Sequence, residues 1–243
     1  YEAVDSPETL SWSSGIDISN VIKLNANENP YGASPRLQKA LNEFNDYHIY
    51  PDPKQNIARE ALANYVGISP DNILVGAGAD ELIDLILRCT IVKGDAVMVC
   101  SPTFGMYSFS TYVNAGVLID VPRDQNFDLD LVFIKKSIND RTKVIFLTSP
   151  TNPTGNLVSL GDLKEILEHD ILVVMDETYF EFSRESSVEL LVDYPNLIVL
   201  RSLSKWAGLA GLRIGYAIMD PAIVDFIMKI KNPYNLNIAA QIA

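Results

Sequence analysis

A chain of 243 residues with 48% apolar side chains can bury one large core without disulfide or metal staples. Its 31 acidic residues against 19 basic ones give a formal net charge of -12, a field that argues against nucleic acid and membrane surfaces as partners. Cys89, Cys100, His48 and His169 lack metal-ligand spacing, so no metal is expected, and both thiols read as reduced, buried and intracellular. No run approaches the roughly 20 apolar residues of a membrane span. The opening YEAVDSPETLSW has neither the basic start nor the apolar core of a signal peptide, and with no initiator Met the chain reads as a processed or partial product.

In chain order, residues 1–35 read as an extended N-terminal arm with turns at NENPYG (27–32). Residues 36–232 read as one large domain. Within it, short apolar runs recur at 72–75, 95–100, 116–121, 143–149, 171–177, 196–200 and 213–218. They are rich in Val, Ile and Leu, and several lack alternation, as strands buried on both faces do. Helical candidates lie between them at 80–91, 103–114, 128–139 and 159–169. The alternation predicts an α/β fold, a mostly parallel (mixed) sheet sandwiched by helices. Residues 233–243 read as the cut-off start of a small C-terminal domain.

Ligands of such sheets sit at the carboxyl ends of the strands, so the residues just after each run matter most. YPDP (50–53) sets Tyr50 in a rigid turn, either a subunit contact or plain turn decoration. GAGADELIDLI (76–86) follows a strand and opens a helix whose free N–H groups suit an anion, while Asp80 and Glu81 also fit as dipole-favoured first-turn carboxylates. PTFGMY (102–107) offers Phe104 as a plate for a flat ring or as core. SPTNPTG (149–155) holds Asn152 between two prolines, as a donor to a cofactor oxygen or as a plain Asx turn. ILVVMDETY (171–179) ends on Asp176, a strand-end carboxylate that needs a cationic partner such as a pyridinium nitrogen, with Tyr179 as a hydrogen-bond donor beside it. RSLSKWAGLAGLRIG (201–215) delivers Ser202, Ser204 and Lys205, then Arg213. A partly dehydrated lysine there can attack an aldehyde, and the hydroxyls and guanidinium suit a phosphate. Trp206 is expected to pack on the Gly208–Gly211 turn.

Together LNANENPYG (24–32), YPDP, GADE (78–81), PTFGMY, SPTNPTG, DETY (176–179), SLSKWAGLAGLR (202–213) and KNPYNLN (231–237) make the chain resemble the fold type I pyridoxal-phosphate (PLP) aminotransferases of class I/II, and within them the histidinol-phosphate aminotransferase group. The resemblance implies an aspartate aminotransferase-like large domain, with the small C-terminal domain largely outside this chain. It implies PLP as cofactor, amino-acid and keto-acid substrates, and a homodimer. The reaction implied is transamination between histidinol phosphate or imidazole-acetol phosphate and glutamate or 2-oxoglutarate in histidine biosynthesis, cytoplasmic or, in a plant, in the plastid stroma. Lys205 would form the Schiff base and move the proton, Asp176 would pair with the ring nitrogen, and Tyr179 and Asn152 would hold the ring oxygen. Phe104 would stack on the ring. Ala79 and Asp80 N–H groups, Ser202, Ser204 and Arg213 would bind the phosphate, with Tyr50 reaching that of the partner subunit. Tyr1, Asn25 and Asn237 match positions near the substrate.

Alternatives stay open. A threonine-phosphate decarboxylase, or another class I/II aminotransferase, would share most of these motifs. An NAD-dependent oxidoreductase is opposed by Glu81 standing where a third glycine belongs. A non-catalytic fragment predicts a Lys205→Ala variant indistinguishable from the parent.

Overall fold

The computed structural model describes residues 4–243 and turns all seven apolar runs into strands of one sheet. These are β1 (Ile73–Gly76), β2 (Ala96–Val99), β3 (Val117–Asp120), β4 (Thr142–Thr148), β5 (Leu172–Asp176), β6 (Leu197–Ser202) and β7 (Gly215–Ile218). The helices are α1 (Pro7–Ser14), α2 (Pro35–Glu43), α3 (Asn56–Val66), α4 (Ala79–Thr90), α5 (Met106–Val113), α6 (Leu131–Ser137), α7 (Leu160–Leu167), α8 (Phe180–Ser183), α9 (Pro221–Ile230) and α10 (Ile238–Ile242).

Strand order is β1-β7-β6-β5-β4-β2-β3. Pairs β2–β3, β2–β4, β4–β5 and β5–β6 are parallel, whereas β7 runs antiparallel between β6 and β1. That reversal matters for the site. The carboxyl ends of β1, β4, β5 and β6 share one edge, and the start of β7 is brought to the same edge. Register fixes the row: Gly76 lies opposite Gly215, Gly215 opposite Ser202, and Thr148 opposite Asp176.

The uniform Val/Ile/Leu character of β4, β5 and β6 follows from burial on both faces. On one face Leu82, Ile83 and Ile86 of α4, Tyr107 of α5 and Val224 and Ile227 of α9 pack with Phe146, Val174 and Leu200. On the other, Ala58 and Leu62 of α3, Ile134 of α6 and Leu163 and Ile166 of α7 pack with Ile145, Val173 and Val199. Each fully buried Leu or Ile contributes about 1.5–3 kcal/mol, so these two cores hold the sheet edge rigid.

Two expectations need correcting. The N-terminal arm is not wholly extended, because α1 forms inside it. Ser6 caps it by accepting from the Thr9 N–H, Pro7 fills the first turn, and Gly15 closes it in the left-handed region at φ 71°. Of the two cysteines, Cys100 is buried but Cys89 is only half-buried, on the flank of α4. Burial pushes the Cys100 thiol up to about 12 and also raises Cys89. No helix among the described residues is long and apolar enough to cross a membrane.

Candidate active site

A cavity of about 600 Å³ opens at this sheet edge, walled by β4, β5 and β6 ends, the start of α4 and residues 23–28. Asp176 ends β5 on its floor and is 4% exposed. Burial pushes its carboxyl above the usual range, while the Thr178 N–H at 2.9 Å and the Tyr107 hydroxyl at 2.7 Å pull the other way. Among the described residues Asp176 has no ion-pair partner. A dehydrated carboxylate facing a cavity in this state suits a cationic ligand group.

One strand over, β6 ends at Ser202 and the loop after it carries Lys205 into the same cavity. Burial lowers the lysine's pKa, with nearby Glu28 opposing. Its Nζ donates to the Ala26 carbonyl at 2.6 Å, so the amine is held by the residue 23–28 segment. The same segment reaches Tyr179, whose hydroxyl accepts from Asn27 Nδ2 at 2.9 Å.

The third wall is built for an anion. Helix α4 starts at Ala79 with Gly78 as its cap residue, which offers no side chain to the first-turn N–H groups. Arg213 Nη2 lies over that helix start and donates to Asp80 Oδ2 at 3.0 Å. A Cβ on Gly78 would sit 2.3 Å from this Nη2, so only glycine lets the guanidinium approach. Ser202 and Ser204 complete the wall, with the Ser204 N–H donating to Ser202 Oγ at 3.1 Å. Backbone N–H groups, two hydroxyls and a guanidinium form a donor set that fits a phosphate. With an amine and a carboxylate across the cavity, the residues present fit PLP at both its ends.

Lys205, Asp176, Tyr179, Ala79, Asp80, Phe104, Asn152, Ser202, Ser204, Arg213 and Asn25 all line this one cavity. Tyr50 and Asn237 do not. Tyr50 is exposed and stacks on Tyr234 with ring centroids 4.4 Å apart. Asn237 caps α10, accepting from the Ala240 N–H at 2.8 Å, and donates to the Leu212 carbonyl at 3.2 Å. Tyr1 lies outside the described residues. Trp206 stacks on Tyr65, with ring centroids 5.7 Å apart, a partner that local sequence does not suggest.

Sequence reasoning missed Tyr107, Thr148 and Asn27. Tyr107 is fully buried between Asp176 and Phe146, and its ring meets Phe104 edge-on at 5.7 Å. Its place in the PTFGMY motif, three residues after Phe104, was the available signal.

The family model for aminotransferase class I and II matches residues 19–243. A histidinol-phosphate aminotransferase of Dehalococcoides mccartyi is 46% identical over all 243 residues, which span 66% of that relative's length. Histidinol-phosphate aminotransferase 1, chloroplastic, of Arabidopsis thaliana is 45% identical over 245 residues, covering all of this chain and 59% of its own. Among solved structures, histidinol-phosphate aminotransferase from Sinorhizobium meliloti in complex with pyridoxal-5'-phosphate superposes with a TM-score of 0.88 at 28% identity, over 99% of this chain and 68% of that one. An amine, a buried carboxylate and an anion cradle at one sheet edge, on a chain matched by that model over residues 19–243, lead to one conclusion: the chain belongs to the class I and II aminotransferases.

Proposed function

We propose that this chain, chiefly residues 36–232, forms the PLP site of a homodimeric histidinol-phosphate aminotransferase. The observation that carries the reading is the delivery of Lys205 and Asp176 by the adjacent strands β6 and β5 to one cavity, both dehydrated. The relatives of 44–46% identity, all named histidinol-phosphate aminotransferase, support the substrate. When bound, PLP supplies an aldehyde for amino-group exchange and a ring that accepts the electron pair released at the substrate carbon.

The chain's own residues do the rest. Asp176 keeps a proton on a ring nitrogen by offering a carboxylate that water cannot shield. Tyr107 and the Thr178 N–H fix the orientation of that carboxylate. Lys205, with its lowered pKa, presents a neutral amine near neutrality more often than a surface lysine does. With PLP bound, the same amine would take and return a proton at the reacting carbon, a role typically worth about 10²–10⁴-fold. Tyr179 and Asn152 would donate to the ring oxygen and Phe104 would cover a ring face. The α4 start, Ser202, Ser204 and Arg213 would hold the phosphate.

The test is a borohydride trap. The protein is mixed with PLP, its visible spectrum recorded, then reduced, digested and mapped by mass spectrometry. A visible Schiff-base band with label on Lys205 alone is expected; label scattered over surface lysines with no band overturns the reading. Substrate panels then separate transamination from a threonine-phosphate decarboxylase, which would release carbon dioxide without an amino acceptor.

A further inference from the structure

Glu81 stands one residue after Asp80 in the first turn of α4. Its carboxylate is therefore a competitor for the partial positive charge that the helix start offers an anion. Yet Ala79 and Asp80 line the cavity and Glu81 does not. Its Oε2 is turned back, accepting from the Ala77 N–H at 2.6 Å and from Asn235 Nδ2 at 2.8 Å. There it lies beside Gly76, where an added Cβ would come within 3.2 Å of it.

Asn235 is itself held. Its Oδ1 accepts from Gln55 Nε2 at 2.8 Å. Gln55 is 1% exposed, in the left-handed region at φ 59°, and brackets Val75 of β1 with both ends of its amide. Nε2 donates to the Val75 carbonyl at 2.7 Å, and Oε1 accepts from the Val75 N–H at 3.2 Å. The buried Lys231 ammonium ties the two segments together, donating to the carbonyls of Pro53, Asn232 and Pro233 at 2.9, 3.2 and 3.2 Å. A closed run of hydrogen bonds thus leads from residues 53–55 and 231–235 to one carboxylate.

We propose that Asn235, set by Gln55, is a positioning residue that parks the Glu81 charge away from the anion cradle, so that the α4 start favours phosphate-bearing aldehydes over phosphate-free ones. This rests on the reading of the cavity as a PLP site. A carboxylate freed to swing toward a bound phosphate would repel it, and at a partly screened helix end a like-charge repulsion of this kind weakens binding about tenfold.

The experiment titrates cofactor-free protein with PLP and with pyridoxal, following the Schiff-base band at equilibrium, for the wild type, Asn235→Leu, Glu81→Gln and the double variant. Inorganic phosphate is added as a competitor in each case. Asn235→Leu is expected to lose about tenfold in PLP affinity and in competition by phosphate, with pyridoxal affinity unchanged. The double variant is expected to recover the wild-type preference, because no charge remains to be parked. Equal losses for PLP and pyridoxal, no loss at all, or a loss that Glu81→Gln does not rescue would each overturn the proposal. If Asn235→Leu does not fold, Asn235→Ser, which is too short to span to Glu81, carries the same expectations. A wild type that forms no band with either aldehyde overturns the PLP reading, and this inference with it. A band without phosphate preference overturns this inference alone.

Discussion

Burial acts on Lys205 and Asp176 toward the same chemical end, favouring the neutral form of each. For both groups the cost falls on the fold. A lysine with a lowered folded pKa destabilises the protein most at low pH, and the effect fades as pH rises toward the ordinary lysine value. A carboxyl with a raised folded pKa does the opposite. Its cost is absent below the ordinary aspartate value, grows as pH rises toward the folded pKa, and is complete above it. Asp176→Asn is therefore expected to stabilise the cofactor-free protein by about 1 kcal/mol at pH 7. That gain should vanish below about pH 4, where the wild-type carboxyl is protonated in both states. Urea denaturation at the two pH values measures it. A loss of stability at pH 7 would mean that the Tyr107 and Thr178 hydrogen bonds already satisfy the charge. The neighbouring Glu177 shows how a permanent partner changes the outcome: Arg201 bonds its Oε2 at 2.9 and 3.1 Å, both residues are nearly fully buried, and the guanidinium also covers the Phe180 ring at 3.7 Å. Structure has a cation for Glu177 and, among the described residues, none for Asp176.

At the scale of elements, the site depends on how closely α4 approaches β7. Gly215 opens β7 directly under the helix start, where a Cβ would lie 2.4 Å from the Ala79 nitrogen and 2.5 Å from the Gly78 carbonyl carbon. These are backbone atoms and cannot rotate aside. Gly215→Ala is expected to cost about 2–3 kcal/mol in urea denaturation, because the whole first turn of α4 must shift. A change below about 0.5 kcal/mol would show that the contact is slack. Much of this level was legible in advance. All seven strands fall on the apolar runs, α5, α6 and α7 fall inside the predicted helical spans, and α4 starts one residue ahead of its span, at Ala79, because their patterns are local and strong. Helix α1 was not, since its eight residues bury none of their number and only its caps, Ser6 and Gly15, mark it. Gln55 and Asn235 were not legible as partners either, being 180 residues apart and joined only by the fold.

At the scale of the molecule, large apolar side chains in the first fifty residues remain exposed: Trp12 at 84%, Ile22 at 83%, Leu24 at 81%, Tyr31 at 95% and Tyr50 at 77%. Of these, Leu24 forms part of the cavity wall. Exposure of this kind rimming a site marks a contact surface, in keeping with the proposed homodimer. Analytical ultracentrifugation is expected to give a particle of about twice 26.9 kDa, weakened by Leu24→Asp and Tyr31→Asp together. A single species at the monomer mass would remove this surface from the account. The α/β alternation, the strand ends that line the cavity, and the motif set from YPDP to SLSKWAGLAGLR could be read from the amino-acid order, because these rest on local periodicity and on residue types with few other uses. Which of those residues meet was settled by the folded chain. It turned β7 antiparallel so that Arg213 reaches the α4 start, set Tyr107 under Asp176, stacked Trp206 on Tyr65, and left Tyr50 and Asn237 off the cavity wall. Those outcomes depend on strand order and packing between segments far apart in the chain, which no local pattern encodes.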